Sequence, residues 1–487
     1  MTSALELPPT EKLLVSGGDT RIQPDPVSGV SIYGCRSRPD PAILAFGSST
    51  ASTISEAGFA AADALRRACA DQLRLKSAFR VYADETERLR VQLSGLAPST
   101  GVRVVLAASG TDLHLLVAQW IKPKRTITVV PAETGSGVPA ALQGRHFNTS
   151  TAYACGSCCT VGDVLHDRSL SDLVTLLPRH PDGSLRSAAA LNEEYIQHVT
   201  EAVRTGGRIL LVLTDVSKTN LIVPDIAILR ALKRRWPDQI EVLVDACQFR
   251  LSPETITAYI REEWMVGLTG SKFIAGPAFC GCLLVPHAVS ERYRKEALHS
   301  AVGLYSSAAD WPSDWAASCG LPSAVNFGLL LRWEAAITEW EAFRSVPNSF
   351  VMDFLRPFAE AVRQRIETDA HMQALPVRPL SRPFGQETWD GLQTIFPFLL
   401  YHGRPLRHEE TLQIYRSLLS ERHIQFGQPV ICGQRDGITV SALRLSVGAP
   451  MVAAAYRCGQ ASTLIDKALY ALDQVTHCVQ KTIARAP

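Results

Sequence analysis

The stretch EVLVDACQFRLSPETITAYIREEWMVGLTGSKFIAGPAFCGCLLVP, residues 241–286, decides how the rest of the chain is read. Its apolar run 242–244 predicts a buried strand that delivers Asp245, Ala246, Cys247 and Gln248 at its C-terminal end. A carboxylate placed there is costly unless it meets a cation. A helical segment and a second apolar run, 265–268, lead to Thr269-Gly270-Ser271-Lys272-Phe273, and Gly276-Pro277 turns the chain into a third run, 282–285. Lys272 is therefore expected on a tight turn between strands, with the hydroxyls of Thr269 and Ser271 beside it.

Upstream, the apolar run 102–108 predicts a strand that turns through Ser109-Gly110-Thr111 into a helix beginning near Asp112. A glycine-bearing turn at a helix N-terminus points free N–H groups and the helix dipole at an anion, so Gly110 and Thr111 are candidate phosphate binders. A lysine, an acid and a phosphate cradle in one α/β unit meet the needs of pyridoxal 5'-phosphate. That cofactor requires a Schiff-base lysine, a carboxylate to keep its pyridine nitrogen protonated, and donors for its phosphate. In order and spacing, D-A-C-Q followed by T-G-S-K and G-P resembles the class V aminotransferase and cysteine desulfurase superfamily of fold-type I pyridoxal phosphate enzymes. The resemblance runs over residues 42–471.

It implies an α/β fold: a mostly parallel seven-stranded sheet flanked by helices, a smaller α+β C-terminal domain, and the cofactor at the carboxyl ends of the strands. The expected division is an N-terminal arm at 1–40, a large cofactor-binding domain at 41–340 and a small domain at 341–487. The arm, rich in Pro, Gly, Ser and Asp, is expected to wrap a partner subunit.

Residue by residue, the resemblance assigns Lys272 to the Schiff base and Asp245 to the pyridinium. Gly110, Thr111, Thr269 and Ser271 go to the phosphate, and Gln248 to the phenolic oxygen or neighbouring ring substituents. In Ala442-Leu443-Arg444-Leu445-Ser446, Arg444 matches the arginine that takes the substrate carboxylate in bidentate geometry. Departures are as informative. Where the family stacks a histidine or aromatic ring on the cofactor, this chain has Glu133 and Thr134, with His146-Phe147 further along. The turn that usually supplies an asparagine has Ser217 there, and Asn220 three residues on. Leu321 replaces the threonine that reaches the partner's phosphate. Cys432 falls where one group of desulfurases keeps its catalytic cysteine, but its approach, residues 427–431, is apolar and is expected to raise the thiol pKa.

Composition agrees with an ordinary globular enzyme: 487 residues, 46% hydrophobic, 20% charged, net charge +2. That charge makes no electrostatic case for nucleic acid or an anionic membrane. No uninterrupted apolar run reaches about 18 residues, and MTSALELPPTEKLL lacks a basic region followed by an apolar one, so a cytoplasmic location is expected. Cys155, Cys158 and Cys159 cluster, yet no second pair follows at zinc-site spacing, and no metal is expected. The implied function is an aminotransferase of the class V type acting on an amino acid or amine as a homodimer. A cysteine desulfurase or other C–S/β-elimination lyase is the alternative, and a non-catalytic cofactor-binding protein the second alternative.

Overall fold

The computed structural model describes residues 6–154, 156–167, 171–385 and 387–484. The apolar run 242–244 lies within strand Ile240–Ala246, every residue of which is buried. This strand occupies the middle of a sheet ordered Arg103–Ala107, Gly281–Val285, Met265–Thr269, Ile240–Ala246, Ile209–Asp215, Arg125–Val129, Asp172–Leu176. Gly281–Val285 is antiparallel to both neighbours and the remaining contiguous pairs are parallel; Ile222–Val223 pairs with the end of Ile209–Asp215. Strands covered on both faces read as unbroken apolar runs, which is why they were visible in the sequence.

A second, mixed sheet is ordered Leu44–Phe46, Ile424–Arg435, Ile438–Ser446, Ile395–His402, Met372–Ala374, with Arg404–Pro405 paired to Ile395–His402. Helices Asn348–Glu367, His408–Arg422 and Ala461–Ala484 pack around it. Leu44–Phe46, read from sequence as the opening of the large unit, pairs parallel with residues 424–426 of this second sheet. Strand Ile424–Arg435 itself was not read. Gly427, Pro429 and Gly433 break its pattern, and the chain absorbs them as register shifts after Gly427 and Ile431. The two helices that the apolar spacing predicts over 55–80 and 83–96 are Glu56–Gln72 and Ala78–Ser94, with the break earlier than expected; Ser77 caps the second by accepting from the Arg80 N–H at 3.3 Å. Of the stretch 161–177, whose pattern predicts strand, loop and strand, the first part forms only an isolated bridge from Val164 to Arg145, and the second is strand Asp172–Leu176.

The N-terminal arm docks on its own chain. Arg332, wholly buried, donates to the carbonyls of Leu14, Ser16 and Gly17 at 3.2, 2.6 and 3.0 Å, and Asn326 adds a bond to Gly17. Gly17 has a φ of +64°, and a Cβ there would sit 1.9 Å from Asn326 Oδ1, so the arm fits only as glycine at that point.

Candidate active site

Turns at the carboxyl ends of five strands meet residues of the second sheet around a cavity of about 600 Å³. This is where open α/β sheets bind ligands. Asp245, Cys247 and Gln248 enter from strand Ile240–Ala246 and the turn after it, Thr269, Ser271 and Lys272 from the next, and Arg444 from the second sheet.

Asp245 is buried and accepts from the Cys247 N–H at 3.2 Å. Its other partner is His114, whose Nε2 lies 3.5 Å away. His114 stands one turn into helix Gly110–Ile121, and its Nδ1 lies 2.7 Å from the Gly110 carbonyl, an acceptor that fixes a proton on Nδ1. With Nε2 facing a carboxylate, the protonated imidazole is favoured. Burial lowers the His114 pKa, but Asp245 outweighs it and the net shift is upward. Reciprocally, burial raises Asp245 while His114, the Cys247 thiol and Lys272 hold it well below the usual carboxylate range. Asp245 is therefore an anion with its charge anchored from behind. Lys272 faces the same cavity, and burial pushes its amine down.

Helix Gly110–Ile121 aims its N-terminus into this space, capped by Ser109, whose Oγ accepts from the Asp112 N–H at 3.2 Å. Gly110 is required there: a Cβ would lie 2.7 Å from Cys247 Sγ, so the turn could not press against the strand end that carries Asp245. Thr269 Oγ1 donates to the Cys247 carbonyl at 2.6 Å, and Ser271 lies 3.4 Å from Thr269. The arm contributes Arg21, unforeseen from sequence. Asp19 holds its Nε and Nη2, the ring faces of Phe279 and Phe147 lie 5.1 and 5.8 Å away, and Nη1 points at Thr111 Oγ1 at 3.4 Å. Burial and the nearby Asp19 push Asp112 up to about 7.

Arg444 sits opposite Gly427 in the sheet and is almost wholly buried. It donates to Thr50 Oγ1 and to the Gln428 carbonyl, while its Nε has no partner. Among the described residues it has no carboxylate within ion-pair distance, and burial lowers it to about 10. Gln248 donates to the Ser49 carbonyl at 3.0 Å and leaves Oε1 unpartnered; Ser49, Thr134 and Thr214 also line the cavity with unpartnered buried hydroxyls.

The remaining sequence candidates lie in other settings. Glu133 lines the cavity, but Arg179 at 3.1 Å, Ser217 at 2.7 Å and Thr219 at 2.6 Å take up its carboxylate. Ser217 is turned into that network and also accepts from the Thr219 and Leu221 N–H groups; Lys218, one residue on, lines the cavity instead. Asn220 is buried with both amide atoms unpartnered. His146 bonds Tyr305 at 2.7 Å, away from the cavity wall, so the end of strand Arg125–Val129 offers no aromatic face. Cys432, pushed up to about 11 by burial, contacts the Val440 carbonyl and does not line the cavity. Leu321 packs in an apolar cluster with Trp311 and Trp315. Cys155 lies outside the described residues. Among the described residues no group of His, Cys, Asp and Glu could hold a metal ion, and no helix is long and apolar enough to cross a membrane.

No protein-family model matches the chain, and no curated protein sequence matches it. Solved structures do. A mutant of C-DES with glycine covalently linked to the PLP cofactor superimposes with a TM-score of 0.55 at 15% identity, over 89% of this chain and 99% of that one. Alanine–glyoxylate aminotransferase from Nostoc sp. gives 0.54 at 11% identity, over 90% and 96%. A NifS-like protein gives 0.51 at 14%, over 88% and 99%. At such identities the likeness is one of fold: the chain has the fold-type I architecture expected from its sequence.

The residues around the cavity fit pyridoxal phosphate. An anchored carboxylate, a lysine with a lowered pKa, a helix N-terminus with an arginine beside it, and unpartnered buried polar atoms on Gln248, Ser49 and Thr214 are the donors and acceptors that such a molecule would use.

Proposed function

We propose that this chain is a pyridoxal phosphate enzyme acting on an amino acid or amine, an aminotransferase of the class V type working as a cytoplasmic homodimer. The observation that carries the reading is Asp245, held anionic by His114 and set in one cavity with Lys272 and the N-terminus of helix Gly110–Ile121. The free thiols of the described cysteines accord with a reducing compartment.

When bound, the cofactor supplies an electron sink for a carbanion at the substrate's alpha carbon. Asp245 would keep its ring nitrogen protonated. Gly110 and Thr111 N–H groups, Thr269, Ser271 and the arm's Arg21 would hold its phosphate, with Asp112, raised to about 7, a weaker repellent than an ordinary carboxylate. Arg444, buried without a carboxylate of its own, would take the substrate carboxylate and fix the alpha carbon over Lys272. Lys272, lowered by burial, would take and return the proton there. A C–S lyase is the second reading, favoured by the likeness to C-DES. Desulfuration through a thiol of this chain finds little support, because Cys432 is raised and off the cavity wall and Cys247 is raised further by burial and by Asp245.

The test is the absorbance of purified protein reconstituted with the cofactor, beside Lys272→Ala. A visible band present in the wild type and lost in the variant, followed by keto-acid release from an added amino acid, supports transamination. Release of ammonia with a keto acid assigns the lyase instead. No band after reconstitution would sink the reading.

A further inference from the structure

The cavity holds more positive charge than the reading above consumes. Besides Lys272, Arg444 and Arg21, the wall carries Lys218. Its Nζ has only the Pro131 carbonyl near it, at a long 3.4 Å. Glu133 is the nearest candidate counter-ion, but its oxygens are occupied by Arg179, Ser217 and Thr219. The same network fixes the turn: Lys218 N–H donates to the Glu133 carbonyl at 2.8 Å, and the Lys218 carbonyl lies 3.5 Å from Arg444 Nη1. Lys218 and Arg444 are therefore neighbours on one wall, Lys218 half-buried and Arg444 buried, and neither has an anion within ion-pair distance among the described residues. A cation withdrawn from water is costly unless a ligand brings the opposite charge.

The phosphate does not answer that need. Gly110, Thr111 and Arg21, which would hold it, already include a cation of their own. One carboxylate on Arg444 still leaves Lys218 unmatched.

We propose that Lys218 and Arg444 together select an amino acid with an acidic side chain, Arg444 taking the alpha carboxylate and Lys218 the side-chain anion. The proposal rests on the cofactor-bound reading and names its substrate class. The groups facing Lys218 set its response to pH. Burial lowers it most, Arg444 and Lys272 lower it further, and Glu133 and Asp245 only partly oppose them, which leaves the amine at about 7. His408 and Gln428 line the same cavity. The cationic form that binds an anion is thus present below about pH 7 and is lost as pH rises through it, unless bound anion holds the proton.

The experiment titrates the cofactor-loaded protein with L-aspartate, L-glutamate, L-asparagine and L-glutamine, following the shift in cofactor absorbance at equilibrium. The acidic pair is expected to bind at least about tenfold tighter than its amides, with affinity falling above about pH 7 while the amides stay flat. Lys218→Met is expected to erase the preference and its pH dependence, leaving cofactor affinity, the resting spectrum and amide binding unchanged; Lys218→Arg is expected to keep the preference. Should Lys218→Met fail to fold, the wild-type pH profile and Lys218→Arg still decide. Equal or weaker binding of the acidic pair, no response to any of the four, or a Lys218→Met variant whose cofactor affinity or resting spectrum changes would overturn the proposal; the last would place the amine on the cofactor. Failure to bind cofactor at all would instead break the reading on which the proposal rests.

Discussion

Asp245, at the carboxyl end of strand Ile240–Ala246, and Glu133, in the turn after strand Arg125–Val129, are both buried carboxylates that line the same cavity, yet they are partnered in opposite ways. Glu133 is saturated: a guanidinium and two hydroxyls take its oxygens, and through Arg179 it reaches the Pro376 carbonyl beside the second sheet. Asp245 is supported on one side only, by His114 at 3.5 Å and one N–H. The saturated carboxylate is a clamp, and the half-supported one is a working group whose remaining valence faces a ligand. Satisfied polar networks rigidify, whereas an open one is costly in the fold and is useful where something binds.

This contrast breaks most directly by exchanging each acid for its amide. Asp245→Asn should leave the melting temperature nearly unchanged but lower kcat of the reconstituted enzyme by about 10²–10³-fold, the scale of removing one preorganised charge from a reacting centre. His114, without its carboxylate, should then titrate lower, which its imidazole NMR signal would report. For Glu133 the pattern inverts. Removing one partner of a buried pair costs about 3–5 kcal/mol, so Glu133→Gln should lower the chemical-denaturation midpoint sharply, with Arg179 left unpaired. If Asp245→Asn unfolds the protein while Glu133→Gln merely slows it, the division of labour is reversed.

A smaller effect sharpens the comparison at the phosphate end. Arg21 is bound to Asp19 by two of its nitrogens and offers the third to Thr111, so it resembles Asp245 in being held from behind and open in front. Arg21→Met should weaken pyridoxal phosphate by about tenfold, roughly 1.4 kcal/mol, and leave unphosphorylated pyridoxal unaffected. Equal weakening of both forms would make Arg21 a brace for the arm.

How much of this was legible in the sequence follows from how local each signal is. Strands 240–246, 265–269 and 281–285 are continuous apolar runs ended by Gly, Pro or polar turns, so both they and the placement of Asp245 and Lys272 could be read directly. Gly110 and Thr111 were readable for the same reason, being a strand, a turn and a helix in succession. His114 was missed, although a signal existed: three residues after Thr111 it stands one helical turn inward, on the face that looks at the neighbouring strand end. Arg21 had no such signal, since its position depends on Arg332 and Asn326, more than three hundred residues away, gripping the arm. Lys218 was passed over for Ser217, because counting along the turn could not reveal which side chain Glu133 would draw inward.

The smallest expected effect concerns Cys432. Its position suggested sulfur chemistry, but three observations argue against it together: the thiol is pushed up to about 11 by burial, it makes a long polar contact with the Val440 carbonyl, and neighbouring residues 429–431, not Cys432 itself, line the cavity. In strand Ile424–Arg435 it belongs to the apolar cluster of Leu375, Leu399 and Val440. A thiol in that setting packs, and a hydroxyl of nearly the same size loses little. Cys432→Ser should therefore change stability by about 1 kcal/mol or less and leave turnover of every accepted amino acid within about twofold. Alkylation of the native protein points the same way: a catalytic thiol is a thiolate near neutral pH and reacts fast, whereas a thiol at about 11 should react with iodoacetamide slowly and only as pH rises. Rapid labelling of Cys432 at neutral pH, with sulfide release lost in Cys432→Ser, would restore the desulfurase and make the open side of Asp245 serve carbon–sulfur cleavage in place of transamination.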